Sequence, residues 1–223
     1  MLSFVFAESA LELVPREVWS HPAVVSDSKR RGLKAGEMLL DRSFHHTAMG
    51  RLGDSEKRGR PDLVHVALLS VTGTPLYLAG GVKVYVHTYP GSVVEVAEKT
   101  RIPKNYLRFR GLMEKCLVEG PTEGLLRLQK MSFPELIKKI EPQRVFGLTV
   151  RGRQTSIPDL AKKVVMAKDP CVVVGGFPHG HFSGEVEKCM DELVRIDPMP
   201  LEAHVVAARV VYEVEKAAEG FND

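Results

Sequence analysis

Short apolar runs alternate with amphipathic segments through the second half of the chain, a pattern that predicts strands separated by helices. The predicted strands are LLRLQ at 125–129, RVFGLTV at 144–150, CVVVGG at 171–176 and VRI at 194–196. The predicted helices cover residues 132–140, 156–168 and 200–218. Ser132 and Ser156 each precede a helical run and have an acid three residues on, which is typical of an N-terminal cap. Such alternation predicts a parallel sheet covered by helices on both faces.

The first half of the chain is less regular. LSFVFA near the N-terminus predicts a first strand, and residues 61–73 place apolar side chains on one helical stripe. Residues 83–96 alternate with period two on either side of a Pro-Gly pair, which predicts a hairpin. A further helix is predicted after Pro103. The hairpin and this helix, at about 82–118, are interpreted as an insertion into an α/β domain.

Length and composition set the class of protein. A chain of 223 residues with 44% hydrophobic residues is long enough for one large α/β domain, expected to span residues 1–223. No stretch approaches the ~20 unbroken apolar residues of a membrane span, and LSFVFA lacks the basic segment of a signal peptide. The three cysteines, Cys116, Cys171 and Cys189, form no CxxC pair, which argues against a disulfide framework and a zinc site. These features favour a cytoplasmic protein with no membrane partner.

Charge is distributed unevenly along the chain. Residues 29–60 carry nine Lys/Arg against four Asp/Glu, residues 99–115 six against one, and residues 127–163 nine against three. Residues 182–223 carry four against ten. Three basic segments and an acidic end are typical of a surface that binds a polyanion such as a nucleic acid. Charged runs are also common on ordinary solvated surfaces, so the pattern alone leaves both interpretations open.

The glycine-rich stretch VVVGGFPHGHFSG at 172–184 follows a predicted buried strand. Gly175, Gly176 and Gly180 remove side chains where a ligand could approach the backbone, at the strand end where α/β sheets bind ligands. A tight strand-to-helix turn explains the same glycines equally well. The stretch lacks GxGxxG and the Lys-Ser/Thr of a P-loop, which argues against a nucleotide phosphate. His179 and His181 have no third ligand at suitable spacing, so no metal site is predicted.

Several stretches together resemble one family. They are LLDRSFHH at 39–46, RGRPDLVH at 58–65, KVYVHT at 83–88, TRIPKNYLRFRGLMEK at 100–115, VVGGFPHG at 173–180 and DPMPLEAHVV at 197–206. The combination is similar, over nearly the whole chain, to the small-subunit ribosomal RNA pseudouridine N1-methyltransferases, the ribosome-biogenesis branch of the SPOUT methyltransferases. This resemblance implies a SPOUT-type α/β fold with a C-terminal trefoil knot, a homodimer, and S-adenosylmethionine (SAM) bound in the knot. The N-terminal part is similar in length to that of archaeal members.

The resemblance also implies which residues form the sites. The implied cofactor-binding residues are Leu148, Thr149, Gly175, Gly176, Phe177, Gly180, Ile196, Met199, Leu201 and Ala203. The implied RNA-binding cations are Arg58, Arg60, Arg101, Lys104, Arg108 and Arg110. Lys104 stands where an arginine is common in the family, so it can contact a phosphate but not in the bidentate manner of a guanidinium.

The implied reaction is methyl transfer from SAM to nitrogen 1 of pseudouridine in small-subunit rRNA during ribosome biogenesis. The acceptor nitrogen must lose a proton, and Asp62 is the candidate catalytic residue, either as the base or as a hydrogen-bond acceptor that orients the ring. Alternatively, Asp62 is an acid in a first helical turn, where the helix dipole stabilises it by ~0.3–1 kcal/mol. Arg58 and Arg60 are expected to hold phosphates beside a base turned out of its stack, most easily in a single-stranded loop. His45 and His46 are interpreted as part of a polar loop, without an assigned role.

Two other functions fit the same residues. One is an RNA-binding ribosome assembly factor that acts mainly as a scaffold, and the other is a SPOUT methyltransferase that acts on tRNA. The glycine-rich stretch favours retained cofactor binding, whereas the basic segment at 99–115 serves all three functions. The expected partners are small-subunit rRNA and a second copy of the chain, with ribosomal proteins or other assembly factors as further candidates.

Overall fold

The computed structural model describes residues 1–122 and 124–219, and within these residues one sheet of seven strands forms the centre of the fold. The strands are β1 (Leu2–Ser9), β2 (Val82–Thr88), β3 (Ser92–Val96), β4 (Leu126–Lys130), β5 (Val145–Gln154), β6 (Cys171–Gly175) and β7 (Glu192–Arg195). Their order across the sheet is β4-β3-β2-β1-β6-β5-β7. The five strands from β2 to β7 in this order are parallel, whereas β3 pairs antiparallel with both β2 and β4.

Helices cover both faces of the sheet. Over the described residues they are α1 (Pro22–Arg31), α2 (Arg42–Met49), α3 (Pro61–Thr72), α4 (Pro75–Leu78), α5 (Tyr106–Glu119), α6 (Phe133–Ile140), α7 (Ile157–Met166), α8 (Gly184–Glu187) and α9 (Ala203–Glu219). Short 3-10 helices cover Arg16–Val18, Ala35–Glu37 and Ser55–Lys57. Both predicted caps are confirmed: Ser132 forms a capping box with Glu135, and the Ser156 hydroxyl accepts from the backbone of Asp159.

The central strands are apolar because both of their faces are buried. In β1, Phe4 and Phe6 point to the core beneath α3, α5, α7 and α9, while Val5 and Ala7 point to the core beneath α6 and α8. Burying a side chain of the size of valine or phenylalanine contributes ~1.5–3 kcal/mol, so these strands account for much of the stability. The packing fixes the carboxyl ends of β1 and β6, next to which the candidate site lies.

One prediction about the architecture needs correction: β4, predicted as a strand of the parallel sheet, pairs antiparallel with β3 at one edge. The predicted hairpin is confirmed by the antiparallel pair of β2 and β3. Residues 82–118, interpreted above as an insertion, contribute β2, which pairs with β1, and α5, whose Phe109 is buried in the main core. The other predicted strands and helices are confirmed to within a few residues. The last four residues of the acidic C-terminal segment lie outside the described part of the chain.

The stretch around His45 and His46 is helical, so the predicted polar loop is wrong. The Asp41 carboxylate accepts from the backbone N–H of Ser43 at 2.9 Å and thereby caps α2. His45 is fully buried, its Nδ1 accepting from the Asp41 backbone N–H at 3.1 Å and its Nε2 lying 3.4 Å from Asp27. Burial lowers the pKa of His45 in spite of the nearby carboxylates. His45 therefore joins α1 to α2 as a neutral side chain within the fold.

Candidate active site

A cavity of about 610 Å³ opens at the carboxyl ends of β6 and β7 and at residues 148–150, where the pairing of β5 with β6 ends. Ligands of open α/β sheets bind in this place, and the volume falls within the ~300–1,000 Å³ of small-molecule sites. Its walls are these strand segments, the loop at 177–182 and the segment at 196–203. Arg60 at the start of α3 lies on one side, and Asp197 and Glu202 supply acidic groups.

Nine of the ten residues predicted to bind the cofactor line this cavity. They are Leu148, Thr149, Gly175, Phe177, Gly180, Ile196, Met199, Leu201 and Ala203. The cavity wall also includes Leu63 of α3 and Val206 of α9, which the sequence analysis did not identify. Both are apolar helix residues with no local signal of a site, and only the folded chain brings them to this edge of the sheet.

Gly176 is the exception, because the structure gives it a different neighbour. A Cβ atom on Gly176 would lie 2.1 Å from the Ser9 Oγ and 2.8 Å from the Ser9 Cα. The absent side chain therefore lets two backbone segments approach, and Gly176 does not line the cavity. Gly176 thus has a packing role between β6 and the end of β1, and its contact with the cofactor stays a prediction.

The glycine-rich loop needs Gly180 for its backbone conformation. Gly180 has a φ of +97°, in the region that favours glycine. A Cβ there would also lie 3.1 Å from the Cε atom of Lys57. Gly175, at the strand end, leaves room for the ring of Phe177, which a Cβ would meet at 2.8 Å. The two glycines shape the wall of the cavity, on the loop where the sequence predicts the close approach of a ligand.

Arg60 and Asp62 form a bidentate ion pair at the edge of the cavity. Arg60 Nε and Nη2 donate to the two carboxylate oxygens of Asp62 at 2.8 and 2.9 Å. Pro61 occupies the first turn of α3, where a missing N–H costs no hydrogen bond, and Asp62 lies in the same turn. The side chains are 37% and 48% exposed, so the pair remains in contact with solvent. RNA could therefore reach the Arg60 guanidinium without opening the fold.

The protonation of Asp62 is governed by two opposing effects. Partial burial alone would raise the pKa of its carboxyl, but the hydrogen bonds and the charge of Arg60 outweigh burial and lower that pKa. The carboxylate is therefore ionised at neutral pH and already bound on both oxygens. Such a group is a weak proton acceptor, which bears on the predicted base role.

Arg58 does not lie where a phosphate could reach it. Its Nε and Nη2 atoms each donate to the Glu12 carboxylate at 2.7 Å, and the pair is buried. The guanidinium also lies 4.7 Å from the centroid of the Tyr89 ring. The hydrogen bonds to Glu12 raise the pKa of Arg58 despite burial. The prediction that Arg58 binds RNA is therefore corrected: Arg58 anchors the segment before α3 to the residues that follow β1.

Tyr106, Asp41 and His65 were not predicted as site residues, and each lies near enough to Arg60 or Asp62 for an electrostatic interaction. The Tyr106 hydroxyl donates to the Asp41 carboxylate, and burial followed by this contact raises the pKa of Tyr106. The His65 Nε2 atom lies 2.6 Å from the carbonyl oxygen of Pro103, and its ring stacks on Phe109. Burial lowers the pKa of His65. Through its contacts with Pro103 and Phe109, His65 ties the basic segment at 99–115 to α3, one helical turn after Asp62.

The remaining predicted RNA-binding cations lie on that tethered segment. Arg101, Lys104 and Arg108 are exposed and have no ion pair within the described residues. Arg110 is half-buried, with its guanidinium carbon 5.6 Å from the centroid of the Phe44 ring. The contact of His65 with Pro103 fixes the segment that carries these cations to α3, the helix that begins with Arg60.

The described residues contain no group of three or more His, Cys, Asp or Glu side chains that could hold a metal ion. Over the same part of the chain, no helix combines the length and apolarity needed to cross a membrane.

An open α/β sheet with an apolar cavity at its carboxyl edge and a partly exposed arginine, Arg60, on the cavity wall is typical of an enzyme that binds an organic cofactor next to an anionic substrate. The family model described as EMG1/NEP1 methyltransferase matches residues 4–215. The protein belongs to this methyltransferase family.

Relatives and a solved structure agree with the family match. The chain is 41% identical over 219 residues to the ribosomal RNA small subunit methyltransferase Nep1 of Staphylothermus marinus, covering 96% of this chain and 95% of that protein. It is 43% identical over 219 residues to the same-named protein of Pyrobaculum arsenaticum, covering 96% and 97%. The crystal structure of Archaeoglobus fulgidus Nep1 bound to S-adenosylhomocysteine superimposes with a TM-score of 0.87 at 35% identity, covering 97% and 98%.

Proposed function

We propose that the protein transfers a methyl group from SAM to nitrogen 1 of a pseudouridine in small-subunit rRNA. The observation that carries this proposal is the cavity at residues 148–150 of β5 and the carboxyl ends of β6 and β7, lined by the glycine-rich loop and flanked by Arg60. The relatives are named as ribosomal RNA small subunit methyltransferases. The similar Archaeoglobus structure holds S-adenosylhomocysteine, which is SAM after loss of its methyl group.

The residues around the cavity suit SAM. Apolar side chains of β5 and of the segment at 196–203 offer a dry surface for an adenine ring, and the glycine-rich loop allows close approach to the backbone. Asp197 and Glu202 provide carboxylates for the positive charge of an ammonium group. Bound SAM supplies an electrophilic methyl group, so the protein's own task is to align the acceptor base and to exclude water.

Arg60 and Asp62 are assigned to the acceptor side of the site. Arg60 lies between the cavity and solvent, where its guanidinium can contact a phosphate or a base carbonyl. Asp62 holds that guanidinium through two hydrogen bonds and acts as a positioning residue. The proton of the acceptor nitrogen passes to water in this proposal, because an ionised carboxylate already bound by arginine is a weak base.

Attraction of the RNA is assigned to the segment before and within α5. Arg101, Lys104 and Arg108 are exposed cations without internal partners among the described residues, so they are available for phosphates. A single-stranded loop is the expected target, since a stacked or paired base would hide the ring edge that is methylated.

Transfer of a labelled methyl group to short rRNA hairpins tests the proposal. Three hairpins of one sequence would carry uridine, pseudouridine or 1-methylpseudouridine at the same loop position. Label is expected only in the pseudouridine hairpin, because uridine has no N–H at that ring position and the third base is already methylated. Preferred methylation of tRNA would favour the second methyltransferase hypothesis. SAM binding without transfer to any RNA would favour an assembly factor.

A homodimer and a trefoil knot belong to the same proposal. Exposed apolar side chains on two neighbouring helices, Val66 of α3 and Leu107 of α5, support a protein contact at this surface. Light scattering on the purified protein would give twice the monomer mass if the dimer forms. Ribosomal proteins and other assembly factors are further candidate partners, and the cytoplasm is the expected location.

A further inference from the structure

Residues 8–12, at the end of β1 and just after it, lie between the glycine-rich loop, here called the cofactor loop (residues 176–183), and the segment that carries Arg60. The backbone N–H of Ala10 donates to the carbonyl oxygen of Gly176 at 2.8 Å. The carbonyl oxygen of Ala10 accepts from the backbone N–H of Arg60 at 3.2 Å. A single residue therefore connects the glycine-rich loop to the start of α3. We call residues 8–12 the connecting turn.

Lys57 joins the same parts of the fold through its side chain. Its Nζ lies 3.2 Å from the Glu8 carboxylate, also donates to the carbonyl oxygen of His181, and is 4.8 Å from the centroid of the Phe177 ring. The Glu8 carboxylate in turn accepts from the backbone N–H of Ser183 at 3.1 Å. Three positions of the cofactor loop are thus held by one ion pair.

The Lys57–Glu8 pair is placed to act as a rigid contact. The two side chains are only 15% and 12% exposed, so solvent screens their attraction weakly. Glu8 has a φ of +48°, an uncommon conformation for a residue with a side chain, and its backbone N–H lies 3.2 Å from the His87 Nδ1. Strained backbone persists where surrounding contacts determine it, and such positions are common beside functional sites.

We propose that the Lys57–Glu8 pair couples cofactor binding to RNA binding. Lys57 is three residues before Arg60, and its charged end is fixed on the loop that forms one wall of the cofactor cavity. When the cofactor orders that loop, it also orders the segment that presents Arg60 to RNA. By thermodynamic linkage, bound RNA must then raise the affinity for the cofactor by the same factor. Lys57 and Glu8 are positioning residues, and their assignment rests on the proposed function.

Binding measurements on four variants test the coupling. S-adenosylhomocysteine is titrated by calorimetry with and without a saturating pseudouridine hairpin. This ligand has no methyl group to transfer, so only binding is measured. The variants are Lys57→Met, Lys57→Arg, Glu8→Gln and, as a matched control, Lys138→Met on the exposed surface of α6. In the parent protein the hairpin is expected to tighten S-adenosylhomocysteine binding by a factor within the ~5–150 typical of coupled sites.

Lys57→Met is expected to reduce this coupling factor to about 1. It should also weaken the binding of S-adenosylhomocysteine by about tenfold, in the lower part of the ~5–150 range of coupled sites. RNA affinity measured without S-adenosylhomocysteine should stay at the parent value. Lys57→Arg keeps a positive charge and should retain most of the coupling. Glu8→Gln keeps an acceptor for Ser183 but loses the charge, so it should reduce the coupling even if Lys57→Met folds poorly. Lys138→Met should match the parent in every measurement.

Parent-like coupling in both Lys57→Met and Glu8→Gln would overturn the inference. An absence of coupling in the parent protein, with both ligands bound, would overturn it as well and leave the proposed function intact. Failure of the parent to bind S-adenosylhomocysteine at all would instead contradict the proposed function.

Discussion

Asp62→Asn separates a positioning role from a base role. The substitution keeps the shape of the side chain but removes its charge and places an amide NH2 group against the Arg60 guanidinium. The ion pair is half-exposed, so its loss should cost ~0–1 kcal/mol of unfolding free energy. The lost interaction with the start of α3 adds ~0.3–1 kcal/mol. The variant should therefore remain folded at room temperature, which chemical denaturation can verify.

The two roles predict different losses of activity. If Asp62 positions Arg60, the variant loses one hydrogen bond of a half-exposed ion pair, worth up to ~1 kcal/mol, or about fivefold in rate. If Asp62 is a general base, the loss should be about 10²–10⁴-fold and should be partly recovered at high pH. A loss between these two values would not separate the roles, so the second substitution is Arg60→Ala.

A double-mutant cycle under single-turnover conditions supplies the decisive measurement. With saturating SAM and enzyme in excess over the RNA, the rates of Asp62→Asn, Arg60→Ala and the double variant are compared. A positioning residue acts through Arg60, so the double variant should be no slower than Arg60→Ala alone. The rate of the parent protein should also show no step attributable to Asp62 between pH 6 and pH 9, because the lowered pKa keeps the carboxylate ionised there. The positioning role would be refuted if the loss of rate in the double variant equalled the product of the two single losses and if the rate of Asp62→Asn recovered at high pH.

Three further predictions follow from burial and exposure. Arg58→Met leaves Glu12 buried without its partner and should lower the unfolding free energy by ~3–5 kcal/mol, measured by urea denaturation, whereas a parent-like value would contradict the buried pair. Arg101→Ala and Arg108→Ala should each reduce the salt slope of RNA binding by about one unit without changing S-adenosylhomocysteine affinity, and an unchanged slope would remove this segment from the RNA surface. The free energy of unfolding should fall as the pH is lowered from 7.5 to 5.5, because three buried histidines have pKa values below the ordinary 6.5 in the folded protein and therefore bind protons more readily in the unfolded chain. The expected loss is at most about 4 kcal/mol, and an unchanged urea midpoint over this pH range would contradict the prediction. The histidines concerned are His45, His65 and His87.

Local periodicity explains which parts of the fold the sequence could predict. The strand CVVVGG has both faces buried, so its composition is visible without any knowledge of its neighbours, and β6 is found where predicted. The capped helices α6 and α7 carry their start signals within four residues. The antiparallel pairing of β4 was not predicted, because its orientation depends on pairing with a distant segment, which periodicity does not encode. The β2–β3 pair was predicted, because its turn is local.

The candidate site shows a similar limit at the scale of single residues. Gly175, Gly176 and Gly180 look alike in the sequence, but two of them shape the cavity wall and Gly176 gives room to Ser9. The sequence analysis predicted the close approach of a ligand at all three glycines, whereas the group that approaches Gly176 is Ser9. What approaches depends on the position of β1, which is more than 160 residues away in the chain. Resemblance to a family supplied the other cavity residues that local patterns do not mark.

Two basic segments of equal net charge, residues 29–60 and 99–115, differ in how their cations are used. In the first segment six of nine cations pair with carboxylates. The pairs are Arg30–Asp27, Arg31–Glu114, Lys34–Glu37, Lys57–Glu8, Arg58–Glu12 and Arg60–Asp62. In the second segment only Lys115 has such a pair among the described residues, at 3.9 Å. Counterion release requires cations that can neutralise phosphates, so the second segment should dominate the salt dependence of RNA binding, and the first should act mainly by holding Arg60 in place.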